Sequence, residues 1–140
     1  MMTAAELIRA QLRCMAADPA ALRTLFAENA VWELLYGASA GIASPLSGID
    51  EIVTAVTGFT SQVKGLRFGE PTIYRVAGDD AIFAEFHADA TVIATGRPYH
   101  QDYVFYLRAR GGKIVLIREY FDAVRLVAAF RETPDDTHEG

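Results

Sequence analysis

The side chain best placed to do chemistry is Glu119, in the stretch IREYFD at 117–122. Read as a strand, Lys113 to Phe121 alternates Val115, Ile117, Glu119 and Phe121 on one face with Ile114, Leu116, Arg118 and Tyr120 on the other. A carboxylate among hydrophobes is costly unless it is hydrogen-bonded or neutral, and a pKa raised by burial suits general acid/base catalysis. The plainer alternative is a glutamate at a sheet edge, paired with an arginine.

Glu85, His87 and Asp89 alternate with Ala84, Phe86, Ala88 and Ala90. A period of two puts the trio on one face without saying which. If the small apolar residues fill the core, the trio is the wet outer face. If they line an interface on the convex side, the trio points inward, and His87 with Asp89 assists Glu119. Imidazole is the side chain whose unperturbed pKa lies near neutrality.

Tyr99, Gln101, Tyr103 and Phe105 share a face of the next strand. Gln101 and Tyr103 are candidates for orienting a ligand, with cross-strand pairing at a subunit face as the alternative. Trp32, Leu34 and Tyr36 share a face of an earlier strand that runs into the irregular stretch GASAGIASPLSG at 37–48. With Ile117 they are the expected pocket wall; ordinary core is the other reading.

The elements that must position these groups follow from periodicity and turn chemistry. Thr3 and Glu6 have capping-box spacing, and Leu7, Ile8, Leu12 and Met15 recur at helical intervals until Asp18-Pro19. Asp18 is expected to cap a second short helix with Leu22, Leu25 and Phe26 as its buried stripe, ending at Asn29, and a strand from Ala30 to Tyr36 follows. From Ile49, the set Ile52, Val53, Val56, Phe59 and Val63 predicts a third helix, closed by Lys64-Gly65. Strands are then expected at roughly 66–77, 80–95, 98–110 and 113–121, separated by turn residues, with Asp122 capping a last apolar helix. Helices followed by hairpin-connected strands make an α+β domain over 1–132, in which a bent sheet leaves a cavity at its open end, and 133–140 is a polar tail.

Composition narrows the function. Of 140 residues 51% are apolar, enough for one domain with a real core, and the net charge of −5 with no basic cluster argues against nucleic acid and against an anionic membrane as partners. Cys14 has no mate, and no apolar run suggests a signal peptide or membrane span, so a cytoplasmic location is expected. His87, His100 and His138 lack ligand spacing, and there is no phosphate loop, serine elbow or Cys-His arrangement. Neither a metal nor a cofactor is expected.

The order of elements, with AENAVWELLYG (27–37), SGIDEI (47–52), GRPYHQDYVFYLRARGGKIVLIREYFD (96–122) and the closing apolar helix, resembles the SnoaL-like branch of the NTF2-like superfamily over almost the whole chain. The resemblance implies a cone in which a curved antiparallel sheet wraps around N-terminal helices, with a short C-terminal helix, and a homodimer formed through the convex side. Relatives include ketosteroid isomerases, limonene epoxide hydrolases, polyketide cyclases and phenazine-pathway proteins, so the fold alone selects no reaction.

Against the ketosteroid isomerases, the oxyanion-hole tyrosine would fall near Ala10, the base aspartate at or beside Leu34, and the second aspartate near Asp102 and Tyr103, so that reaction is not expected. Against the epoxide hydrolases, Glu119 takes the closing-strand position. There His87 and Asp89 stand in for an Arg-x-Asp pair if the hairpin near Gly96 is longer, while the water-positioning residues fall at Trp32 and Leu34. Phenazine-pathway relatives have a Glu near the Glu119 position, but the counterpart of their histidine falls near Phe68 or Gly69. The resulting expectation is a cofactor-independent acid/base enzyme of isomerase, cyclase, dehydratase or epoxide hydrolase type, acting on a small apolar or aromatic molecule. A non-catalytic ligand-binding or accessory dimer is the alternative.

Overall fold

The computed structural model describes residues 1–131; the expected polar tail, with His138, lies outside the described residues. Helix α1 spans Ala4–Ala17 and begins with the capping box. Thr3 Oγ1 accepts from the Glu6 amide, and Glu6 Oε1 accepts from the Thr3 amide at 2.9 Å. The expected second helix is instead a 3-10 turn over Pro19–Thr24 to which the Asp18 side chain contributes no cap. Phe26 belongs to strand β1, Phe26–Leu34, which starts before and ends before the expected strand. The cause is tertiary: β1 runs parallel to the closing strand, from Phe26 opposite Ile114 to Leu34 opposite Glu119, and that ladder sets its limits.

The stretch after β1 makes a short 3-10 turn at Ala38–Ala40 and then strand β2, Leu46–Ser47, antiparallel to β1. Helix α2, Ile49–Thr60, buries Ile52 and Val56. The strand expected at 66–77 is divided at Gly69-Glu70-Pro71 into β3, Val63–Phe68, and β4, Thr72–Arg75, both antiparallel to β5, Ala81–Val92. Strands β6, Pro98–Arg110, and β7, Lys113–Phe121, and helix α3, Ala123–Phe130, fall where turn residues predict them. Asp122 caps α3, its Oδ1 accepting from the amides of Val124 (2.9 Å) and Arg125 (3.3 Å). The sheet order is β2-β1-β7-β6-β5-β3, with β4 also on β5. The sheet is thus mixed, not antiparallel throughout, because β1 parallels β7.

Helices α1 and α2 cover one face, and Ala84, Phe86 and Ala88 of β5 are buried against them together with Leu7, Ile8 and Ile52. The small residues therefore fill the core. The alternation expected along β7 is broken once. Leu116 pairs with Arg108 but Ile114 pairs with Ala109, so Val115 is a bulge, and Ile114 instead of Val115 joins Ile117, Glu119 and Phe121 on the inner face.

Candidate functional site

Between the inner face of the sheet, α1, α2 and α3 lies a cavity of about 230 Å³. Ile42, Ala43 and Leu46 of the irregular stretch and Leu126 of α3 form part of its wall. The lining is apolar and aromatic, with Phe86, Phe105 and Phe121 contributed by β5, β6 and β7. Among the described lining residues Glu119 is the one carboxylate, and no His, Lys or Arg accompanies it.

Glu119 is 8% exposed. The Trp32 indole Nε1–H donates to its Oε1 at 2.9 Å, and Trp32 is itself held between Phe26, stacked at 6.0 Å, and Phe105, edge-on at 5.7 Å. Burial pushes the Glu119 carboxyl up to about 7 against the smaller opposing pull of the Trp32 hydrogen bond. The edge alternative fails on geometry, since the neighbouring Arg118 lies on the other face and pairs with Glu33 at 2.8 Å. An N–H donor serves Oε1 whether the carboxyl is charged or neutral. Oε2 has no partner among the described residues, and it is the oxygen through which a proton can pass to or from an occupant of the cavity.

A second polar feature enters the wall from β6. Gln101 is fully buried; its Oε1 accepts from the amides of Asp102 (3.1 Å) and Asp122 (3.0 Å), which fixes Nε2 as the donor side. Nε2 donates to the Asp122 carbonyl at 2.9 Å and to the Tyr99 hydroxyl at 3.2 Å. The Tyr99 and Tyr103 hydroxyls are 2.9 Å apart, and both rings line the cavity. When Tyr99, which accepts from Gln101, donates its O–H to Tyr103, the Tyr103 O–H is left for the cavity. Burial raises both phenols, Tyr99 to about 12, so both stay protonated near neutrality.

Of the residues expected to form the site, Trp32, Leu34, Tyr103 and Glu119 line the cavity. Gln101 stands behind Tyr99, outside the lining. Ile117 is fully buried core beneath Trp32, its partner in the β1–β7 ladder. Tyr36 lies past the end of β1, where alternation no longer applies; it is 54% exposed and packs edge-on against Tyr120. Of the two placements left open for Glu85, His87 and Asp89, the outward one is found, with Ala84, Phe86 and Ala88 inside, so the assisting role expected for His87 and Asp89 beside Glu119 is corrected: on the outer face they do not meet it. There His87 and Asp89 gather with His100 and Asp102. Tyr99 and Phe105, which share strand parity with Tyr103, also line the wall, and Phe86 lines it from the face of β5 opposite His87 and Asp89; none of the three is among the site residues expected from the sequence.

A model of the SnoaL-like domain matches residues 8–117. An uncharacterized protein of Bacillus subtilis, YesE, is 36% identical over 106 residues, 76% of this chain and 71% of its own length. A solved Bacillus subtilis structure, provisionally named an isomerase, is 33% identical and superposes with a TM-score of 0.85 over 91% of both chains. A protein of ketosteroid isomerase-like fold from Catenulispora acidiphila, solved in complex with trimethylamine, is 20% identical with a TM-score of 0.75 over 91% of this chain and 93% of its own. The last likeness is one of fold alone. No described helix is long and apolar enough to cross a membrane.

Proposed function

The chain belongs to the SnoaL-like domain family, with an NTF2-like α+β fold, and from that premise we propose that it is a cofactor-independent acid/base enzyme of a small, largely apolar molecule bearing one acceptor oxygen. The observation that carries this reading is Glu119: a carboxyl in an apolar cavity, anchored through one oxygen by Trp32, and poised at about 7. The family match ends before Glu119, so the role rests on this geometry and not on membership.

The chemistry follows from the two polar features. Ionised Glu119 takes a proton from a carbon next to a carbonyl through Oε2, while the carbonyl oxygen, gaining negative charge, receives the Tyr103 hydrogen bond. The proton on Glu119 then returns to the same molecule at another carbon; in a molecule with a second carbonyl the carbanion instead adds to that carbonyl carbon, its C=O π bond opens, and the oxygen takes the proton back from Glu119. Tyr103 pairs with Phe121, so it sits diagonally across from Glu119 on the same face of the sheet, and both side chains line the one cavity. Isomerisation or cyclisation fits a lone carboxyl better than epoxide opening, which needs further polar groups to orient water; His87 and Asp89 are not there to supply them. The small cavity, below the roughly 300–1,000 Å³ of drug-sized sites, favours a substrate of one or two rings.

A second reading is a non-catalytic ligand-binding or accessory dimer of the same fold, favoured by the absence of a second carboxylate or a histidine among the described lining residues. One experiment separates the two. Trp32 is the chain's one tryptophan and touches Glu119, so its fluorescence reports occupancy of the cavity. A panel of small cyclic ketones is screened by fluorescence, and bound members are followed by NMR in D2O for deuterium uptake at the α-carbon. The wild type is expected to catalyse exchange, and Glu119→Gln to bind the same ketone while exchange falls ~10²-fold or more. Undiminished exchange in that variant would remove Glu119 from the mechanism; binding without exchange in the wild type supports the second reading.

A further inference from the structure

The polar cluster on the outer face of β5 and β6 is not used by the cavity, and its geometry is unusual. His87 pairs across the strands with Asp102, and Asp89 with His100, so the two His–Asp pairs run in opposite senses on adjacent rows. His87 Nε2 is 2.9 Å from Asp89 Oδ1, and His100 Nδ1 closes on the same oxygen. His87 Nδ1 is 3.1 Å from Asp102 Oδ1, and Arg125 Nη1 holds the other Asp102 oxygen at 3.0 Å. The imidazole rings are nearly parallel, 16° apart.

Hydrogen bonds alone satisfy this arrangement only if His87 carries protons on both nitrogens and a third N–H from His100 shares the Asp89 oxygen. In neutral His87 the proton belongs on Nδ1, facing Asp102, which leaves the Nε2 lone pair aimed at Asp89 Oδ1 and beside His100 Nδ1. With His100 as the tautomer protonated on Nε2, its Nδ1 lone pair joins them, and a cation among the three lone pairs relieves their repulsion. Imidazole, imidazole and carboxylate are a ligand set that zinc takes, and a carboxylate on the far nitrogen of a ligating histidine is the usual outer support of such a site.

We propose that His87 Nε2, an oxygen of Asp89 and His100 Nδ1 bind one divalent transition-metal ion of the zinc class, with Asp102 as the positioning residue that holds His87 in its ligating tautomer. The three donor atoms lie within 4.8 Å of one another. Tetrahedral coordination at about 2.0–2.1 Å needs them roughly 3.3 Å apart, which the half-exposed side chains reach by small rotations outward. The fourth position faces solvent. The spacing is invisible to a linear search because His100 is brought to Asp89 by the β5–β6 register alone. The site lies on the opposite face of the sheet from Glu119 and is independent of the cavity's chemistry.

The test is calorimetric titration of zinc chloride into chelator-treated, untagged protein. One ion per chain is expected, with a rise in Tm. His100→Ala and Asp89→Asn are expected to abolish both signals, and Asp102→Asn to weaken binding roughly ten- to a hundredfold, while His138→Ala binds as the wild type does. Asp89, His100 and Asp102 are on the outer surface of the sheet, and circular dichroism without zinc checks that each variant folds. No binding by the wild type, binding by His100→Ala at wild-type affinity, or loss of binding on His138→Ala would each overturn the site.

Discussion

The Trp32 indole and the Glu119 carboxyl meet at 2.9 Å between β1 and β7, although the ladder pairs Glu119 with Leu34 and Trp32 with Ile117. The contact is diagonal. The parallel register sets Trp32 two residues back along β1, and the long indole reaches the carboxyl while its ring stays wedged between Phe26 and Phe105. A rigid donor thus holds one carboxyl oxygen and leaves the other toward the cavity.

Trp32→Phe keeps an aromatic ring and removes the donor. Because the hydrogen bond lowers the Glu119 pKa against the upward push of burial, its loss raises that pKa from its value of about 7. The measurement is the carboxyl 13C chemical shift of labelled Glu119 against pH, in which the midpoint is expected near 7 for the wild type and higher for the variant. An unmoved midpoint would show that the indole does not bear on ionisation.

Stability is expected to fall between about pH 4.5 and 7 through this one group. Glu119 has an ordinary value of 4.5 and a folded value of about 7, so between them the folded chain binds a proton that the unfolded chain has released. The slope of unfolding free energy with pH is therefore negative in that window. The contribution is fully present below the unfolded value, is lost as pH rises through the folded one, and amounts to about 3 kcal/mol. The check is urea unfolding of wild type and Glu119→Gln across the range: their difference carries the slope, and parallel curves would contradict the raised pKa.

Tyr103→Phe removes the hydroxyl at the end of the Gln101–Tyr99–Tyr103 series and leaves the stacked contact with Phe86, whose ring centroid lies 5.3 Å away. If Tyr103 donates to developing charge, kcat falls ~10²-fold with little change in KM. A rise in KM alone would make it a ground-state contact only.

Gln101→Ala should act first on stability. The amide joins β6 to the start of α3 through both the N–H and the C=O of Asp122, and its removal leaves several buried polar groups unpaired. A loss of about 3 kcal/mol is expected from chemical denaturation. A loss below about 1 kcal/mol would mean that water replaces the side chain.

Much of the fold was legible in the sequence because it rests on local chemistry. Thr3 and Glu6 announced α1, Asp122 announced α3, and the Gly111-Gly112 turn bounded β6 and β7. Phe26 was misread as helical because nothing local records that a parallel partner waits at Ile114. The parity of Val115 and Ile114 was misread because a bulge is created by pairing and leaves no mark in periodicity.

What the sequence by itself determined was that Glu119 shares a face with Ile117 and Phe121, and that His87 and Asp89 share one with each other. Which side of the sheet each face met was decided by tertiary structure. Alternation is symmetric under exchange of the two faces, and only the packing of α1 and α2 on the side of Ala84, Phe86 and Ala88 breaks that symmetry. The same packing sent Glu119 inward, where burial raises its pKa, and His87 and Asp89 outward, where strand register delivered His100 to them.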